Sequence, residues 1–286
     1  MSARLSIVCT LALAAGCLDA ERPGDAPDTQ TGSQAIGGGC DEFMCGTNSP
    51  QVGSFGFWDL QMPSSLATPG APNNVGMRLQ GFVKNGAAYL VAVRAGRLQA
   101  LSPVSPYPVA YAGAGLVGGS LYLVNGVRHF QIRISEVGSV TSWAQPLVGG
   151  PVTLESYKLD WTELVNGQWG DFRNVCTNPP SRENPDALTM TGAAQYHTLL
   201  FEGDRILAST KQVYAVDNSW FNLGCAGSAL AKLALGGHTQ AAYRAGTFHT
   251  SLPQRQAMLK MLAADYCGDG TPYTVGGQWL NWKDDA

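Results

Sequence analysis

The side chains here best suited to covalent or acid–base chemistry are cysteine and histidine, and the chain carries seven of the first and four of the second. A thiolate beside an imidazole is the working pair of a cysteine hydrolase or transferase, so their spacing is weighed first. Cys225 stands directly before the helix-forming run Ala226 to Leu235, where the partial positive charge of a helix start lowers a thiol pKa. His238 follows the same run, but such a helix is about 15 Å long, which places the two at opposite ends. His197 and His249 remain as bases for Cys225 or Cys267, with nothing local to choose between them, and the catalytic residues of such an enzyme stay unknown.

Other chemistries find less support. His197, His238 and His249 form no HxxxH or HExxH pair, and Cys40 with Cys45 lacks the second pair a zinc site needs, so no metal ion and no other cofactor is expected. Asp269, between Gly268 and Gly270, reads as a turn former, because the loop lacks the alternating acids of a calcium site. Ser228 lies in Ala-Gly-Ser-Ala rather than a nucleophile elbow and reads as a small residue for close helix packing. His129 falls on a predicted strand with no partner nearby and reads as structural or exposed.

The compartment decides what the sulfurs do. Residues 1–16 combine Arg4 with an apolar run from Leu5 to Ala15, too short to span a bilayer core of about 30 Å, and read as a lipoprotein signal peptide. The ending Leu13-Ala14-Ala15-Gly16-Cys17 resembles the bacterial lipobox, so Cys17 is the expected lipidation site and the lipid bilayer the expected partner. Residues 17–39, rich in Asp, Pro, Thr, Gln, Ser and Gly, bury too little apolar surface to order themselves and read as a flexible tether. Leu18 carries no inner-membrane retention signal of the Asp type, so the expected location is the outer membrane, at its periplasmic or cell-surface face. In an oxidising compartment Cys40, Cys45, Cys176, Cys225 and Cys267 are expected to form disulfides, with one thiol left over.

Charge and composition bound the rest. Lys and Arg number 18 and Asp and Glu 21, a net charge of −3, and removal of Arg4 with the signal takes it to −4. That lacks the basic stripe of a nucleic-acid binder, and the class is dropped. With 35 Gly, 16 Pro and only 14% charged residues, the folded part is rich in turns and poor in surface helices. Met77 to Val83 and Ala87 to Val93 flank Lys84-Asn85-Gly86, while Ser120 to Val124 and Val127 to Ile134 flank Asn125-Gly126, so two hairpins are predicted. Asn166-Gly167 signals another turn, and further strands are predicted at Ala187 to Thr191 and Arg205 to Tyr214. Ala226 to Leu235, stopped by Gly236-Gly237, and Pro253 to Tyr266 are the predicted helices, and Thr271 to Trp282 reads as a last hairpin. The fold class is α+β, mostly β: an antiparallel sandwich or barrel over 40–152, then a smaller domain over 153–286 with a helix pair and short strands.

The segment Leu262-Ala-Ala-Asp-Tyr-Cys-Gly-Asp-Gly270, together with Cys225-Ala-Gly-Ser-Ala-Leu-Ala-Lys232 and Trp169 followed by Cys176, resembles the ADYC-domain family of exported bacterial proteins. The resemblance implies no established activity, substrate or cofactor. Many relatives resemble Ala-Lys-Cys where this chain has Ala231-Lys232-Leu233, and His-Gln-Ala-Cys where it has Arg255-Gln256-Ala257-Met258. The paired loss of two cysteines implies that they bond each other in relatives, with Leu233 facing Met258 here across an antiparallel helix pair. On that resemblance a Cys225–Cys267 disulfide is expected to clamp the helices, with Cys40–Cys45 closing locally and Cys176 left over. Asp265 and Tyr266 belong either to a recognition site or to the packing that holds the second helix end. The leading expectation is a non-catalytic binding or structural module of the cell envelope whose protein or glycan ligand is open, and the alternative is the cysteine enzyme.

Overall fold

The computed structural model describes residues 49–144, 152–177, 196–216, 218–240, 250–263 and 265. The signal and tether, Cys17, Cys40, Cys45 and the predicted strand Ala187 to Thr191 lie outside them, as do His249, Tyr266, Cys267, Asp269 and the predicted hairpin Thr271 to Trp282.

A short hairpin of β1 (Gln51–Val52) and β2 (Phe55–Gly56) precedes β3 (Asp59–Gln61). The strands β4 (Arg78–Lys84), β5 (Ala87–Arg94), β6 (Arg97–Leu101), β7 (Val109–Ala112), β8 (Ser120–Asn125), β9 (Arg128–Thr141) and β10 (Thr153–Val165) follow. After β11 (Gln168–Trp169), β12 (Arg173–Asn174) and β13 (His197–Glu202), β14 (Asp204–Leu207) and β15 (Gln212–Ala215) form a separate hairpin. β16 (Trp220–Cys225), α1 (Ala229–Leu235) and α2 (Leu252–Leu262) complete the described elements. The large sheet runs β3-β16-β13-β10-β9-β8-β4-β5-β6-β7, with β11 and β12 also pairing to β10, and the pairings are antiparallel. The fold is therefore α+β and mostly β.

Turn chemistry sets the local order. Asn85 and Gly86 both sit at positive φ, 52° and 76°, as do Asn166 and Gly167 at 51° and 77°. These are the dihedrals of the tight turns whose twist matches the flanking strands. The second predicted hairpin shifts by one residue: Asn125 pairs with Arg128, so the turn is Gly126-Val127 with Gly126 at φ 57°. Asn125 instead donates its side-chain amide to Val75 O at 2.6 Å.

The sheet curls on itself. Inward side chains of β4, β6, β8, β9 and β10, including Leu79, Phe82, Leu98, Leu121, Phe130, Ile132, Tyr157 and Leu159, meet Phe221 and Leu223 of β16 in one core. The β5–β6 turn reaches β13, where the buried Glu202 carboxylate accepts from the amides of Ala95 (2.6 Å) and Gly96 (3.1 Å). The Tyr157 hydroxyl accepts from Leu98 N at 2.8 Å and donates to Glu155, tying β10 to β6. The boundary expected at 152–153 falls between β9 and β10, which pair from Thr153↔Thr141 to Glu163↔Phe130, and this core draws residues from both sides of it.

The helices cover the opposite face of β13 and β16, where Leu199 and Phe201 meet Leu230, Leu233, Leu235 and Leu259. Ser228 starts α1 by accepting from Ala231 N, so it acts as a cap rather than as a packing contact. Ser251 and Gln254 form a reciprocal capping box on α2. Gly224 lets α1 lie close to β16: a Cβ there would stand 2.6 Å from Ala231 N and 2.9 Å from Leu230 C. Arg255, at the position where relatives resemble His, is buried and holds Asp204 with both ends of its guanidinium, at 2.6 and 2.9 Å, while also donating to Thr250 O. Burial pushes the Asp204 carboxyl up against the opposing pull of Arg255.

Candidate functional site

Cys225 is in a disulfide, as expected, but with a different partner. Its sulfur is bonded to Cys176, with Cα atoms 5.6 Å apart, and both residues are buried. The Cys225–Cys267 pairing and the leftover Cys176 are thereby corrected. The reason is local: Cys225 is not at a helix start but is the last residue of β16, opposite Thr198 of β13, and α1 begins only at Ala229. Cys176 is brought alongside by the bridge pairing of Pro50 with Cys176 and by the Asn174 side chain accepting from its amide at 2.8 Å. The Thr198 hydroxyl lies 3.3 Å from the Cys176 sulfur. With its sulfur in a disulfide, Cys225 offers no thiolate, whereas Cys267 lies outside the described residues. The helix pair itself forms, and Leu233 and Met258 share one apolar cluster as expected.

His197 belongs to a different constellation. Its Nδ1 lies 2.9 Å from Ser156 Oγ and its Nε2 3.7 Å from Glu136 Oε2. Register explains the grouping, because Glu136, Lys158 and His197 stand in one cross-strand row and Ser156 with Gly138 in the next. Burial holds the imidazole below its ordinary pKa; Glu136 pulls the other way and Lys158 adds to the lowering. The order Ser–His–Glu resembles a hydrolase relay, but Ser156 is 1% exposed and His197 2%. Ser156 is mid-strand in β10, paired with Gly138 on one side and Leu199 on the other, so its backbone is committed to the sheet and makes no oxyanion site. The trio braces β9, β10 and β13.

His238 closes α1, its amide donating to Leu233 O, and His129 is exposed on β9. The buried Asp265 donates its amide to Lys260 O just past α2. Among the described residues no group of three or more His, Cys, Asp or Glu is placed to hold a metal ion.

A partly covered face lies on the other side of β8–β9–β10, with Thr162 and Ser120 buried and Tyr122, Gln131, Arg133 and Asp160 half-buried. Alternation turns Tyr122, Gln131 and Thr162 outward in one row, and Ser120, Arg133 and Asp160 outward in the next. The segment after the Asn166-Gly167 turn folds back over these rows. Trp169 meets Tyr122 edge to face with centroids 5.9 Å apart, and Phe172 lies under the Arg133 guanidinium at 3.8 Å. Trp169 is 39% exposed and Phe172 37%. Trp169 stood out in the sequence through the family resemblance, whereas Tyr122, Arg133 and Phe172 did not. The signal was present in the period-two alternation of the second hairpin, which sends Tyr122 and Arg133 to one side.

A family model, the ADYC domain, matches residues 113–286. The chain belongs to the ADYC-domain family. No curated protein and no solved structure matches it. The ADYC match begins well before residue 153 and takes in β8, β9 and β10, so the aromatic face and the Cys176–Cys225 bridge both lie within it.

Proposed function

We propose that this ADYC protein is a membrane-anchored lipoprotein of the cell envelope that works as a non-catalytic binding or structural module. The observation that carries this reading is the Cys176–Cys225 bridge. It commits to architecture the sulfur best suited by sequence to nucleophilic chemistry, and a buried disulfide suits an exported chain. Export is in turn the expectation raised by Arg4, the apolar run and the lipobox-like ending at Cys17. Two or three acyl chains on Cys17 would hold the protein at a bilayer, since each buried CH₂ adds about 0.8 kcal/mol. Among the described residues no helix is long and apolar enough to cross a membrane.

Fractionation and intact mass of the full-length product test the anchor: an acylated chain beginning at Cys17, released only by detergent, is the expected result. Alkylation of the native protein at about pH 6 tests the chemistry, because an activated cysteine reacts there and a bridged one does not. A lipid-free chain retaining Met1, or one fast-reacting thiol in the native protein, would overturn the proposal.

A further inference from the structure

The outer face of β8–β10 has three properties that do not follow from packing alone. Its aromatic rings remain more than a third exposed at Trp169 and Phe172, although a turn has carried both back onto the sheet. Arg133 is half-buried with its guanidinium stacked on Phe172, and among the described residues no carboxylate or carbonyl takes its N–H groups. Its cross-strand neighbour Asp160 makes no hydrogen bond to it: the two Asp160 oxygens accept from the Ser135 hydroxyl and the Asn174 amide.

Two arginines stand at the rings in a chain whose net charge is −3. Arg78 and His129 share a row across Val124, two positions along from Tyr122 and Gln131 on the same face. Arg78 and Arg133 are matched by Asp160 in these rows and by the exposed Asp171 beside Phe172, so what an anion would meet here is the unmatched donors of Arg133 and not a net positive charge. A stacked guanidinium with free donors matches a carboxylate in two-point geometry. An exposed indole face is electron-rich and takes the weakly positive C–H face of a sugar ring. Two strand arginines do not make the basic stripe that a nucleic-acid strand requires.

We propose that this face binds an acidic glycan, with a uronate-type sugar stacked on Trp169 and its carboxylate held by Arg133. The proposal rests on the binding-module reading above and gives it a ligand class.

The test is calorimetric titration of the full-length protein with tetragalacturonate, a neutral glucan tetramer of similar length and oligothymidylate. Saturable binding of tetragalacturonate alone is expected, weakened about tenfold or more by Trp169→Ala and by Arg133→Gln, in keeping with the loss of a charge-assisted hydrogen bond. Arg78→Gln should weaken it less, and the thermal midpoints of the three variants, compared with the parent, separate lost contacts from lost folding. Equal binding of the neutral glucan, tighter binding of oligothymidylate, or no binding of any probe by the folded parent would overturn the proposal. A protein that stays lipid-anchored and keeps its bridge, yet ignores tetragalacturonate, refutes the ligand class while leaving the module reading standing.

Discussion

Replacing both Cys176 and Cys225 by alanine should cost about 4 kcal/mol of stability. The sequence separation is 49, and closing a loop of that size removes about 14 cal/mol/K of chain entropy from the unfolded state, or about 4 kcal/mol near room temperature. For a folded unit of this size that corresponds to a fall in melting temperature of roughly 8–16 °C. The assay is urea unfolding of the purified parent, the two single variants and the double variant without reductant, each followed by peptide mapping. Cys176→Ala alone should cost nearly as much as the double change, because either removes the same cross-link. If Cys225 were instead joined to Cys267, Cys176→Ala would cost only its local packing. A double variant within about 1 kcal/mol of the parent would refute the entropic argument, and a mapped Cys225–Cys267 peptide would refute the pairing.

Two further outcomes follow from packing and charge. Gly224→Ala should destabilise by about 1–3 kcal/mol, read as a shift in the urea midpoint, because a Cβ 2.6 Å from Ala231 N forces α1 off the sheet; an unchanged midpoint would show that the helix has room to give. His197 is held below its ordinary pKa by burial, so the unfolded chain takes up its proton first; the stability it contributes is present above about pH 6.5 and is lost as pH falls through its lowered folded value. Between about pH 7 and 5 the parent should therefore lose stability more steeply than His197→Gln. The buried Asp59 and Asp204, whose carboxyls are pushed up by burial, act in the opposite sense in both proteins and cancel from the comparison, so parallel pH profiles would refute the assignment.

The legibility of the fold tracked how local its causes were. Asn85-Gly86 and Asn166-Gly167 announce themselves because two residues at positive φ fix each turn. The helices were legible to within a few residues from the Ala- and Leu-rich run stopped by Gly236-Gly237 and from Pro253 in a first turn, whereas the capping serines Ser228 and Ser251 went unread. β13 and β16 escaped because each is buried on both faces, and His-Thr-Leu-Leu-Phe-Glu and Trp-Phe-Asn-Leu-Gly-Cys show none of the alternation that betrays a half-exposed strand. Missing β16 put Cys225 at a helix start instead of a strand end, which fitted the pairing with Cys267 that the family resemblance implied. The β5–β6 turn was hidden for another reason: Ala95 at φ 51° is a poor turn residue by itself, and it is held there by Glu202, more than a hundred positions away. The split at residue 152 failed to anticipate one core drawing on both halves, because a curl in a sheet leaves no trace in any short window.

The bridge also determines what a protease can accomplish. Because sulfur joins residue 176 to residue 225, a cut at any peptide bond between them opens a ring without dividing the molecule. A chain nicked there would still run as a single species until a reductant is added, and would then fall into two fragments. Scission anywhere in that interval leaves the C-terminal helices covalently attached to the sheet, a property that matters most at the proposed location outside the cytosol.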